Sequence, residues 1–165
     1  MIRRPNWDEY WMLFAVLAAM RSTCVHYKVG AVLAREKQIL TIGFNGPVSG
    51  DSHCAEVGCA KMKDGVKLPS GSGMCRGAHA EINAIANAAN LGVSIGGASF
   101  YITHRPCYPC AKQIVNAGIK RIVYLDDYDG EPQAIDLLRK ASVQLVPFKV
   151  LSDLKFNGVD LIERR

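Results

Sequence analysis

Residues 98 to 125 constrain the fold more than any other stretch. ASFYIT (98 to 103) alternates like a strand, YPCAKQIVNAG (108 to 118) has helical spacing and stops at Gly118, and RIVYL (121 to 125) is a second strand. Two strands joined through a helix run parallel, and such a crossover is right-handed. This unit places the chain in the α/β class. VGAVLA (29 to 34) and QILTIGF (38 to 44) flank the charged turn REK, which predicts an antiparallel hairpin. Ala78, Ile82, Ile85, Ala86 and Ala89, with Gly92 as a stop, predict a helix from about 78 to 90. A helix near 131 to 141 and a short strand VQLVPF come last, before a tail. At 165 residues the chain has room for one domain with a real core.

The most apolar segment, Trp7 to Met20, is shorter than the roughly 20 residues of a membrane span and carries Asp8 and Glu9 in its first turn. Arg3 and Arg4 precede it as in a signal peptide, but no small-residue cleavage site follows Met20. Asn6 and Glu9 instead have capping-box spacing, so the expectation is a helix start and a cytoplasmic protein with no membrane partner. The formal charge of +5 is spread out, with no block of like charges to mark a nucleic-acid arm.

From about 45 to 77 the apolar periodicity fails, within a stretch that holds His53, Cys54, Cys59 and Cys75. A loop this long inside one domain is expected only where it is functional or pinned. The chain has six cysteines, at 24, 54, 59, 75, 107 and 110. With no secretory signal, they are metal ligands, redox groups or core thiols rather than structural disulfides.

Cys107 and Cys110 form PCYPC at a predicted helix start. A thioredoxin-like redox pair has that spacing, and so do two ligands of one metal. GAHAEINAI (77 to 85) supplies a third ligand, His79, and a carboxylate, Glu81. Alone, this pair reads as a core histidine beside a solvated glutamate. A helix sets the two about 200° apart in projection, yet near its N-terminus both reach one pocket. Zinc held by one histidine and two thiolates keeps a position for water and lowers its pKa towards about 7. A carboxylate outside the ligand set can then carry the proton, and Glu81 fits that role.

HAE followed by PCYPC is the H-x-E, P-C-x-x-C signature of zinc nucleobase deaminases. With RPNWDEYWM, RSTC and KVGAVL, GFNG, HC and VGC, YITHRPCYPCAKQIVNAGIKRIVY and YDG, the chain resembles the deoxycytidylate (dCMP) deaminases over roughly residues 3 to 146. The resemblance implies a three-layer α/β/α sandwich with a mixed five-stranded sheet. It also implies hydrolysis of dCMP to dUMP and ammonia, supplying dUMP for thymidylate synthesis. Zinc then sits on His79, Cys107 and Cys110, water activated there attacks C4, and Glu81 serves N3 and the departing amine. Asn45 is expected against the sugar or base, Tyr128 near the pocket, and the Ala80 backbone at the pyrimidine edge. Arg21, His26, Lys28 and Arg105 are candidate phosphate donors, although such residues are by default surface cations.

Cys24, Cys54, Cys59 and Cys75 are the number that a closed structural zinc requires, and some dCMP deaminases carry a second zinc at matching positions. His53 is the alternative ligand to Cys54, and four buried thiols are the plain alternative. Family members with a GYNG segment imply activation by dCTP with magnesium, inhibition by dTTP, and a homo-oligomer, hexamer or dimer. Here Gly43, Phe44, Asn45 and Gly46 form that segment, with phenylalanine for tyrosine and a shifted proline, PVSG. Two other classes stand beside this reading. One is a deaminase of cytosine, cytidine, guanine, a riboflavin precursor or adenosine in transfer RNA, the last calling for a clearer basic surface. The other is a non-catalytic zinc module binding DNA or a partner, which would have no use for Glu81.

Overall fold

Asn6 Oδ1 accepts from Glu9 N at 2.9 Å and Glu9 Oε2 accepts from Asn6 N at 2.7 Å, closing the capping box that the sequence predicts. It opens α1 (Trp7–Ala19) of the computed structural model, which describes residues 4–66, 75–127 and 131–149, with the backbone of 67, 155–156 and 159–160. No helix among the described residues is long and apolar enough to cross a membrane.

The hairpin β1 (Gly30–Arg35) and β2 (Gln38–Phe44) is antiparallel. The expected loop 45 to 77 is less irregular than its composition suggests. It holds β3 (Gly46–Pro47), a short α2 (Cys54–Val57), and the pair β4 (Met62–Lys63) and β5 (Val66–Lys67). At its end β6 (Gly77–Ala78) pairs with β3, Gly46 opposite Ala78. This pairing overturns the helix start at 78. Extended backbone at Ala78 forces α3 (Ala80–Leu91) to begin two residues later, with His79 before it as N-cap.

The crossover follows as predicted, with β7 (Ser99–His104), α4 (Tyr108–Asn116) and β8 (Arg121–Asp126), the two strands parallel. Then come α5 (Pro132–Lys140) and β9 (Gln144–Pro147), and a short pair, β10 (Lys155–Phe156) with β11 (Val159–Asp160). The main sheet has five strands in the order β2-β1-β7-β8-β9, antiparallel on the β2 side and parallel on the β9 side.

Strand alternation divides the core into two faces. Ala31, Leu33, Phe100, Ile102 and Ile122 pack with Ala84 of α3, Ile114 of α4 and Leu138 of α5. Val32, Ala34, Tyr101 and Val123 pack on the other face with Trp11, Met12 and Ala15 of α1. The result is the three-layer sandwich. Each fully buried large side chain, such as Phe100 or Ile122, contributes about 1.5–3 kcal/mol by leaving water. Arg121 clamps α1 to the sheet through both oxygens of Asp8, at 2.9 and 2.6 Å, and Tyr101 donates to the same carboxylate at 2.8 Å.

Two glycines set how close the layers come. A Cβ on Gly30 would lie 2.0 Å from the Ala15 carbonyl oxygen of α1, and one on Gly43 would lie 2.2 Å from that of Ala80 in α3. Polar ties then fasten α3 to the edge strand. Asn83 Nδ2 donates to Phe44 O at 2.8 Å, Asn87 Nδ2 to Ile42 O at 2.9 Å, and Thr41 Oγ1 to Ala84 O at 3.0 Å.

Gly43→Ala is expected to cost about 1–3 kcal/mol in denaturant unfolding, because backbone rather than a flexible side chain must give way. Gly96→Ala, where an added Cβ meets nothing within 4 Å, should stay within about 0.5 kcal/mol of the parent. The Asp8 clamp carries a pH signature. Hydrogen bonding from Arg121 holds its carboxyl below the ordinary 3.8, so its contribution is present above that value and lost as pH falls through the folded-state pKa. Unfolding of the parent and of Asp8→Asn should therefore differ near neutral pH and converge in acid.

Candidate active site

His79 and Cys107 are both N-caps, of α3 and α4, in extended backbone at φ −73° each. Neither side chain caps its own helix. Both face the same point instead. His79 Nδ1 lies 3.3 Å from Cys107 Sγ and 3.3 Å from Cys110 Sγ, and the three donor atoms lie within 4.8 Å of one another. Among the described residues, no other group of three or more His, Cys, Asp or Glu ligand atoms comes this close. One imidazole and two sulfurs at this spacing fit zinc, and the N-termini of α3 and α4 meet at the cluster.

The groups titrate unusually. Cys107 is pushed well down from the ordinary thiol range, first by hydrogen bonding with Cys110, and Cys110 is pushed up by the same bond and by burial. The hydrogen bond with Cys107 raises His79. Glu81, in the first turn of α3, is 4% exposed, and burial pushes its carboxyl up to about 7. It lies within hydrogen-bonding reach of Cys110. A buried carboxyl with that pKa beside three groups that could hold a metal is suited to exchanging protons near neutrality.

The remaining expected residues are placed as follows. Asn45 Oδ1 accepts from Val29 N and its Nδ2 donates to Tyr27 O, both at 2.8 Å, so its amide anchors the segment bearing His26 and Lys28. Arg21, His26 and Lys28 are exposed, with Lys28 Nζ donating to Ser22 O at 3.0 Å. Arg105 is buried and paired with Asp127. Ala80 is buried against Gly43, while Phe44 is exposed at the surface of β2. Tyr128 lies outside the described residues. Cys54 is buried, and its thiol is raised first by burial and then by the charges of Cys59, Cys24 and Cys75, while Cys75 is exposed. His53 Nδ1 is 3.2 Å from Thr23 Oγ1, beside Cys24.

Sequence reading misses the supports of the site. Glu131 accepts from the Tyr108 amide at the start of α4, and the Arg105 amide donates to Asp126 O at 2.9 Å. Pro132 at the first position of a helix was the available signal for Glu131, since it marks the preceding residue as an N-cap. Asn83 and Asn87, four apart, likewise signalled a polar helix face with a fixed partner.

The family description "Cytidine and deoxycytidylate deaminase zinc-binding region" matches residues 5–126. ComE operon protein 2 of Bacillus subtilis (strain 168) is 38% identical over 157 residues, covering 93% of this chain and 79% of that protein. Deoxycytidylate deaminase of Schizosaccharomyces pombe is 37% identical over 142 residues, covering 86% of this chain and 44% of that longer one. Among solved structures, the dCMP deaminase of cyanophage S-TIM5 in complex with dCMP and dUMP superposes with a TM-score of 0.73 at 32% identity, covering 88% of this chain and 99% of the other. The chain belongs to the cytidine and deoxycytidylate deaminase family, and the convergent His79, Cys107 and Cys110 lie inside its zinc-binding region. Within that family the similarity runs to deoxycytidylate deaminases from yeast and phage.

Proposed function

We propose that the chain hydrolyses dCMP to dUMP and ammonia, with His79, Cys107 and Cys110 holding zinc and Glu81 as the catalytic proton carrier. Bound zinc would supply a water acidified towards about 7. The observation that carries the reading is Glu81, a buried carboxyl that is no part of the ligand set yet reaches it. A purely structural metal site needs no such group. Its raised pKa lets it hold a proton at neutral pH for N3 of the pyrimidine and pass one to the leaving amine. Its burial keeps bulk water from competing for that proton.

Substrate recognition is assigned to the segment 21 to 29 and to Asn45, which fastens it. Arg21, His26 and Lys28 are the exposed cations for the phosphate, while Arg105 braces the ligand turn. Ala80 and Tyr128 complete the pyrimidine side. dCMP turnover should fall at least a hundredfold in Glu81→Gln with zinc retained. Deoxycytidine should be deaminated far more slowly than dCMP. Equal rates on the two would remove the phosphate from the proposal, and an active Glu81→Gln would remove the proton carrier.

The proposal extends to a second, structural zinc on Cys24, Cys54, Cys59 and Cys75, with His53 as the alternate to Cys54. Support comes from the electrostatic influence of Cys24, Cys59 and Cys75 on buried Cys54 and from the need to pin a loop of this length; the four sulfurs are not gathered to ligand spacing as the His79 trio is. Metal analysis should return two zincs per chain, falling to one in Cys54→Ser. Regulation by dCTP with magnesium and by dTTP, through Gly43 to Gly46 in a homo-oligomer, is the outermost part of the reading. In the same dCMP titrations it makes the velocity curve sigmoidal and dCTP makes it hyperbolic.

A further inference from the structure

We infer that Glu131 is a positioning residue for the metal-ligand helix, acting through the first backbone amide of α4. Cys107 occupies the N-cap of α4 with its sulfur 3.3 Å from His79 Nδ1, and the first amide of the helix, Tyr108 N–H, needs an acceptor from elsewhere. The Glu131 carboxylate accepts that exposed N–H from Tyr108. Glu131 is itself the N-cap of α5, and its side chain does not cap α5 either. It caps the neighbouring helix.

The backbone of Glu131 adds an independent observation. Its φ of +53° is left-handed, a conformation that costs a non-glycine residue free energy and persists only where the surroundings impose it. In that conformation the side chain reaches across to α4 rather than to the following helix. Nearby, the end of β8 binds the same turn twice more, Asp126 O accepting from Arg105 N and Asp127 pairing with the Arg105 guanidinium. The end of β8 and the residues that follow it therefore hold Arg105 and Tyr108, with the Glu131 bond adjacent to Cys107. The role is to keep the Cys107 and Cys110 sulfurs at their spacing from His79 by fixing the first turn of α4. It requires an acceptor oxygen rather than a charge, since the partner is a single neutral amide.

The inference rests on His79, Cys107 and Cys110 being the metal site, and the experiment separates the two. Cobalt(II) replaces zinc, and the sulfur-to-cobalt absorption band is read as the protein minus its His79→Ala variant, with zinc competition against a chromogenic chelator alongside. Glu131→Ala should weaken zinc binding at this site ten- to a hundredfold and shift the band, as loss of a group supporting metal ligands does. Glu131→Gln, which keeps the acceptor, should stay within a few-fold of the parent. Thermal unfolding of the metal-free proteins registers any general loss of stability. Zinc binding in Glu131→Ala within twofold of the parent, or Glu131→Gln as weak as Glu131→Ala, would overturn the role. A His79→Ala protein with unchanged zinc and cobalt signals would instead overturn the site reading itself.

Discussion

Everything at the site depends on two helices that start at one point. An ordinary N-cap side chain folds back on its own helix and satisfies an orphan amide. His79 and Cys107 forgo this, and their extended backbone sends the imidazole and the sulfur across the gap between α3 and α4. Two positive helix ends then face a cluster that is negative once the thiols ionise. The arrangement stabilises the Cys107 thiolate, and it leaves the first amide of α4 to be satisfied by another group. Glu131 does that for α4.

Holding α3 in register is a separate problem, solved on the other side of the helix. Gly43 lets the helix backbone approach β2 to contact distance, and Asn83, Asn87 and Thr41 fix its azimuth with hydrogen bonds. The long connection between β2 and α3 is closed at its base by the β3–β6 pair, one residue before His79.

The crossover from β7 to β8 and the hairpin were legible because their periods are unmistakable and their turns short. The α3 start was misplaced because Ala78 is a good helix former that continues the apolar spacing, and pairing with distant Gly46 and Pro47 overrides that preference. His79, Glu81, Cys107 and Cys110 could be named from residue type and spacing, as metal chemistry restricts both. Glu131 could not, because its partner is a backbone amide 23 positions away, identical in every sequence. Asn45 was legible as important, but its bonds to the 27–29 backbone show an anchoring role that no local pattern reports.

The asparagine amides of α3 have an effect beyond the helix. β2 ends the sheet, and an open edge offers carbonyls to any passing strand. At Ile42 and Phe44 those carbonyls already accept from Asn87 and Asn83. A neighbouring strand would have to share these carbonyls with the bonds that seat α3. Protection from aggregation and integrity of the active centre are thus written into the same two side chains.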